Sequence, residues 1–186
     1  MSTFLILHGL ANHRPPEHWQ FWLAGRLRDQ GHRVLYPGMP DPDSPRFALW
    51  EQELGRQLSS MEAKDRVVIC HSLACLLWFK TAGGLAVGER VDRLLLVSPP
   101  ASARVPAAGA SFRIEHLEVE AILTSARSEI RIVCSDGDPY NPSGAQEIYG
   151  DPLGIRVDVL LGAGHITPDS GYGPWPEIEQ WCIEGG

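Results

Sequence analysis

Val67-Val68-Ile69-Cys70-His71-Ser72-Leu73-Ala74 is the stretch on which the reading of this chain turns. Its first residues form a continuous apolar run, the pattern of a strand buried on both faces. From Ser72 to about Thr81 the chain is almost wholly apolar, as in a helix packed inside a fold. A serine at such a strand-to-helix turn has two readings. It can cap the helix with its side chain. It can also sit on a tight, strained turn that lifts its oxygen above the sheet as a nucleophile. The second reading demands small residues two before and two after the serine, because strand and helix backbones nearly touch there. Cys70 and Ala74 are small, though each brings a Cβ where the G-x-S-x-G pattern has none.

Working outward, Phe4–His8, Arg33–Tyr36, Arg66–Cys70, Arg93–Val97, Ile130–Cys134 and Arg156–Leu161 read as six strands. Most are unbroken apolar runs, which marks a parallel sheet covered on both sides. The last alternates polar and apolar residues and reads as an edge. Between the strands lie helical patterns. Trp19, Trp22, Leu23, Arg26 and Leu27 follow Pro15-Pro16 and stop at Gly31. A second stripe, Phe47, Trp50, Leu54 and Leu58, ends before Lys64. Glu118–Ala126, Ser143–Tyr149 and Glu177–Ile183 are shorter candidates. Alternating strands and helices predict an α/β fold, a three-layer α/β/α sandwich on a mostly parallel sheet. Its 186 residues suit a single domain, 1–186. Only about 30 residues separate the fourth strand from the fifth, too few for a large cap.

A serine nucleophile needs a base, and the base needs an orienting carboxylate. After the fifth strand comes Cys134-Ser135-Asp136-Gly137-Asp138-Pro139, and after the sixth comes Leu161-Gly162-Ala163-Gly164-His165. Each candidate lies just past a strand's C-terminal end, where open α/β sheets bind ligands. Serine, acid, histidine is also the chain order of the α/β-hydrolase triad. Asp138 is preferred to Asp136, because a carboxylate clear of the strand reaches the histidine more easily. Asp136 instead holds its loop through an Asx-turn. Taken singly, both acids also read as turn chemistry and His165 as an exposed loop histidine.

Oxyanion donors are expected from the backbone N–H of Leu73, after the serine, and of Leu10, after His8-Gly9. Gly9 is read as letting the backbone approach the substrate. His71 should point away from the serine and serve packing or support the site from behind. His13, His18 and His32 read as loop or helix-surface residues. His8, His13 and His18 are spaced by fives, which fits no single face and makes a zinc site improbable. Trp19, Trp22, Trp50 and Trp78 read as core or groove residues. Pro99–Gly109 leaves the fourth strand and is either an ordinary loop or a pocket wall. Pocket shape is expected to depend on Leu10–Glu17, Pro37–Arg46, Pro99–Glu115 and Ile166–Trp175.

A net charge of −7 argues against nucleic acid or an anionic membrane as partner, since both reward positive charge. No stretch approaches the roughly 20 apolar residues that span a bilayer, and the opening apolar run is too short for a signal peptide. A cytoplasmic protein is expected. Cys70, Cys75, Cys134 and Cys182 lack C-x-x-C spacing and read as buried free thiols.

With these residues in view, the chain resembles the small serine hydrolases related to retinoblastoma-binding protein 9 and bacterial YdeN. The resemblance spans the opening strand with His8-Gly9, His18-Trp19, Trp22-Leu23, Met39-Pro40-Asp41-Pro42 and the three candidate loops. It implies an α/β-hydrolase core without a large lid and a triad at Ser72, Asp138 and His165. Cys70 and Asn141-Pro142 depart from the family's usual pattern. The expected activity is hydrolysis of a small ester, thioester or amide, with no cofactor and no metal. The alternative is a binding protein that keeps the hydrolase fold with little catalysis. A cysteine hydrolase is disfavoured, because Cys70 ends a buried strand and Cys75 lies on the packed helix.

Overall fold

The unbroken apolar runs become strands that bury both faces, and the register shows how. In the computed structural model, which describes residues 1–62 and 65–184, six strands are paired in parallel. They are β1 (Thr3–Leu7), β2 (Arg33–Leu35), β3 (Arg66–His71), β4 (Val91–Val97), β5 (Ala126–Ser135) and β6 (Val157–Leu160). Their order is β2-β1-β3-β4-β5-β6, so β6 takes the edge position that its alternating pattern indicated. Phe4, Ile6, Val67 and Ile69 point to one side. There they meet Trp19, Leu23 and Leu27 of α1 (Trp19–Asp29) and, from the C-terminal helix (Pro176–Glu184), Ile178 and Cys182. Leu5, Leu7, Val68 and Cys70 point to the other side. They meet Trp50, Leu54 and Leu58 of α2 (Phe47–Ser59) and Leu76 and Leu77 of α3 (Leu73–Thr81). Period-two alternation splits the central strands β1 and β3 between two cores, so an unpartnered polar side chain there is costly.

Several boundaries differ from the sequence reading. The helix expected over Glu118–Ala126 is α4 (Val119–Ser125), and β5 starts at Ala126 rather than Ile130. Its first half is polar, which hides it from a search for apolar runs. Those side chains are partnered instead: Arg127 Nη1 donates to Asp92 at 3.3 Å and Trp181 Nε1 donates to Glu129 at 3.1 Å. The helix expected over Ser143–Tyr149 is a single π-turn, Gln146–Gly150, running into the short α5 (Asp151–Leu153). Gln146 spends its amide on the neighbouring strand, its carbonyl accepting from Val157 N–H at 2.8 Å. With α5 in place, the C-terminal helix is α6. The α2 stripe stops at Ser59, and Lys64 lies outside the described residues.

The segment between β4 and α4 holds two short 3-10 turns, Ser102–Arg104 and Ala107–Phe112, and no cap domain. Trp19, Trp50 and Trp78 are fully buried, and Trp22 is partly buried against the core. All four tryptophans serve packing, and none lines the cavity over Ser72. Among the described residues no helix is long and apolar enough to cross a membrane. The four cysteines are buried free thiols, and burial raises the pKa of each.

Candidate active site

The chain leaves β1 for β2 at one edge, then returns to β3 on the other side of β1. The crevice above the C-terminal ends of β1 and β3 is therefore the switch point of the sheet. Gly9 follows one strand and Ser72 the other. Their approach is close: a Cβ at Gly9 would lie 2.7 Å from Ser72 Cβ and 3.1 Å from its Oγ. Glycine is demanded here by the serine itself, a nearer constraint than the substrate approach inferred from sequence.

Ser72 sits at φ 57°, ψ −121°, a conformation that costs a non-glycine residue about 1–3 kcal/mol. Its N–H donates to Val97 O at 2.9 Å, and its carbonyl accepts from Cys75 N–H at 2.9 Å. The helix-cap reading fails, because the side chain makes no capping bond. Ser72 Oγ instead donates to His165 Nε2 at 2.8 Å. His165 Nδ1 lies 2.8 Å and 3.0 Å from the two oxygens of Asp138. A carboxylate only accepts, so the proton sits on Nδ1 and Nε2 is the free base. Asp138 is 1% exposed, and its Oδ1 also accepts from Tyr140 N–H at 2.9 Å.

The structure thus brings Ser72, His165 and Asp138 together. Asp136 takes a different place, reaching across to the other loop: its Oδ1 accepts from Gly162 N–H at 2.7 Å. It ties the acid loop to the histidine loop, where the sequence suggested an Asx-turn within its own. Asn141, a departure from the family pattern, donates its amide to Pro99 O at 2.9 Å and anchors the acid loop to the exit of β4.

Three histidines surround this group, and His18 is more deeply engaged than the sequence suggested. His71 is buried, and its Nε2 donates to His165 O at 3.0 Å. His18, read as a surface residue, is buried as the N-cap of α1, with Nδ1 accepting from Gln20 N–H at 3.2 Å. Its ring lies 5.4 Å from that of His71. The signal for it, a histidine beside an apolar helix start, is ambiguous, because a cap faces solvent unless another element covers it. His8 closes the back of the Gly9 turn: Nδ1 donates to Gly9 O and Nε2 accepts from Met39 N–H, each at 2.9 Å. Burial pushes the pKa of His8 and of His18 down to about 4, and that of His71 well below its ordinary value. All three are neutral at pH 7. Among the described residues no three His, Cys, Asp or Glu side chains converge as a metal site.

A cavity of about 420 Å³ opens over Ser72 and His165. Leu10 and Leu73 line it, so both expected donor residues face the serine's surroundings. Pro100, Val105 and Pro106 form one side, which makes Pro99–Gly109 a pocket wall rather than an ordinary loop. The Pro37–Arg46 segment does not line this cavity, contrary to expectation. It braces the site from behind, through Met39 on His8 and Pro40 O, which accepts from Trp50 Nε1 at 2.6 Å. Tyr140, which the sequence reading overlooked, lies with its ring 4.6 Å from that of His165.

Known proteins carry the same architecture. The YdeN protein of B. subtilis superposes with a TM-score of 0.84 at 20% identity, covering 99% of this chain and 98% of its own. A YdeN-like hydrolase from Pectobacterium atrosepticum gives 0.74 at 20% identity, over 98% and 90%. Est1E from Butyrivibrio proteoclasticus gives 0.68 at 14% identity, over 98% and 87%. At these identities the likeness establishes the α/β-hydrolase fold. No curated protein matches the sequence. The profile of one family, described as serine hydrolase, does match, over residues 4–183. Strand order, elbow and family profile agree, and the chain belongs to the serine hydrolase family.

Proposed function

We propose that the chain, as one domain, is a carboxylesterase-like hydrolase that works through an acyl-enzyme on Ser72. The observation that carries this reading is the unbroken chain Ser72 Oγ–His165 Nε2–Asp138, with links of 2.8 Å and 2.8 Å. His165 takes the hydroxyl proton as Ser72 Oγ attacks the substrate carbonyl. Asp138 holds the imidazole in the tautomer that leaves Nε2 free and stabilises the imidazolium that forms. The tetrahedral oxyanion is held by the N–H groups of Leu73 and Leu10. Leu73 is the first residue of α3, where an N–H has no intrahelical acceptor. Collapse breaks the bond to the leaving group, which departs with the proton from His165. Water then gives a proton to the same nitrogen, attacks the acyl-enzyme and releases the acid, returning Ser72 to its hydroxyl form.

The test is intact-protein mass after treatment with a fluorophosphonate, on the native chain and on Ser72→Ala. One adduct on the native protein, absent from the variant, is the expected result. A well-folded native protein that takes no adduct would sink the proposal and favour a binding role for the fold.

A further inference from the structure

Charged residues make up 21% of this chain, yet none of the described residues lining the cavity is Lys, Arg, Asp or Glu. Several charged groups nearby are committed elsewhere. Arg14 donates to Tyr36 O at 2.8 Å with its guanidinium over the Tyr36 ring, and Arg113 donates to Val105 O at 2.8 Å. Asp43 pairs at 3.0 Å with His13, an exposed residue of the lining, and Asp138 is sealed behind His165. The walls are apolar, formed by Leu10, Leu73, Pro100, Val105, Pro106 and Pro168. Asn12, Ser72, Tyr140, Thr167 and four histidines supply the polar groups, and none of these is a permanently charged side chain.

Such a lining holds no Lys, Arg, Asp or Glu to repay the desolvation of an ion on the acyl group, and its oxyanion donors serve the reacting carbonyl. A carboxylate or ammonium on the acyl group loses its water without gaining an opposite charge. A net charge of −7 further opposes anionic substrates at long range. Coenzyme A thioesters carry several phosphate charges, which proteins ordinarily meet with Lys, Arg or helix N-termini. No cation of that kind lines this opening among the described residues. Size sets a second limit. At the roughly 30 Å³ that a water takes in the liquid, 420 Å³ accommodates about fourteen heavy atoms. That suits a medium-length acyl chain or a single ring, with the alcohol portion reaching out through the opening.

Resting on the hydrolase reading above, we propose that the substrate is an uncharged ester with an apolar acyl group of medium size. Acyl-coenzyme A thioesters and acyl groups bearing a charge are excluded. The reaction consumes ester and water and yields the carboxylic acid and the alcohol. No other reactant is needed. The acid formed is charged at neutral pH, so the same lining that admits the ester expels the product.

The experiment compares kcat/KM for p-nitrophenyl hexanoate, p-nitrophenyl acetate, the p-nitrophenyl monoester of succinic acid, and hexanoyl-coenzyme A, with fluorophosphonate labelling of Ser72 in parallel. The hexanoate should exceed the acetate by at least tenfold, since burying two of its four extra methylenes at about 0.8 kcal/mol each suffices for that ratio. It should exceed the succinate monoester by a hundredfold or more, and the coenzyme A thioester should not turn over. Pro106→Lys, an exposed position on the rim, should raise the succinate-to-hexanoate ratio about tenfold. Labelled Ser72 with succinate or coenzyme A substrates within tenfold of hexanoate overturns the substrate class and leaves the hydrolase reading standing. A ratio unmoved by Pro106→Lys overturns the role given to charge. No labelling and no turnover overturns the hydrolase reading and the substrate class with it.

Discussion

His71 Nε2 donates to the main-chain carbonyl of His165 at 3.0 Å, linking the residue before the nucleophile to the backbone of the proposed base. The imidazole of His165 is held by Asp138 through its side chain and by His71 through its main chain. The acid loop thus holds the ring and the end of β3 holds the backbone of one residue. The elbow that strains Ser72 into place also carries the group that positions its partner.

Removing that donor should shift the base rather than the fold. Misplacement of a reacting group by about 1 Å can cost a hundredfold in rate. His71→Leu is expected to lower kcat by 10- to 100-fold with KM little changed. His71→Gln, whose amide can donate in place of Nε2–H, should recover most of the activity. Steady-state kinetics on both variants checks this. A folded leucine variant with native kcat would show that the carbonyl needs no support.

The two loop aspartates should separate cleanly. Asp138→Asn leaves a side chain of the same shape that no longer favours the productive tautomer, and the serine protease precedent puts the loss in kcat at about 10⁴. Asp136→Asn keeps an acceptor for Gly162 N–H and should stay within about threefold of native kcat. Equal losses in both variants would remove the assignment of the acid.

Gly9 has no room for a side chain. A Cβ placed 2.7 Å from Ser72 Cβ forces either the β1 loop or the elbow to move. Gly9→Ala should cost at least a hundredfold in kcat/KM and lower the melting temperature. Hydrolysis assays beside a thermal melt provide the check, and native activity in the alanine variant would mean that the two turns lie farther apart.

Buried neutral histidines give the fold an acid sensitivity. His8 and His18 titrate at about 4 when folded and near 6.5 when unfolded, so the unfolded chain binds more protons between those values. Stability is full above pH 6.5 and falls as the pH drops towards 4. A tenfold change in proton affinity corresponds to about 1.4 kcal/mol, so each ring accounts for a loss on the order of 3 kcal/mol. Urea midpoints measured from pH 7 to pH 4.5 should therefore decline, and His18→Gln should flatten the decline. A midpoint constant over that range would contradict the burial of these rings.

The strand Val67–Cys70, the serine at the strand-to-helix turn and the two glycine-rich loop ends are written in local pattern. Residue type and spacing alone therefore gave the α/β class, the six strands and the order of the three candidate groups. Local pattern also indicated a turn at His8-Gly9, since glycine there has few other uses. It could not indicate why that glycine is required, because Ser72 lies 63 positions further along and meets it only once β1 and β3 pair. The polar half of β5 was hidden for the same reason: Glu129 is acceptable in a strand because Trp181 of α6 lies beside it. His18 illustrates the limit most clearly. A histidine's burial, tautomer and charge are set by what covers it, and its cover is His71 from another element. Sequence determined which groups exist and in what order; only the tertiary structure decided which of them are dry, neutral and close enough to act on one another.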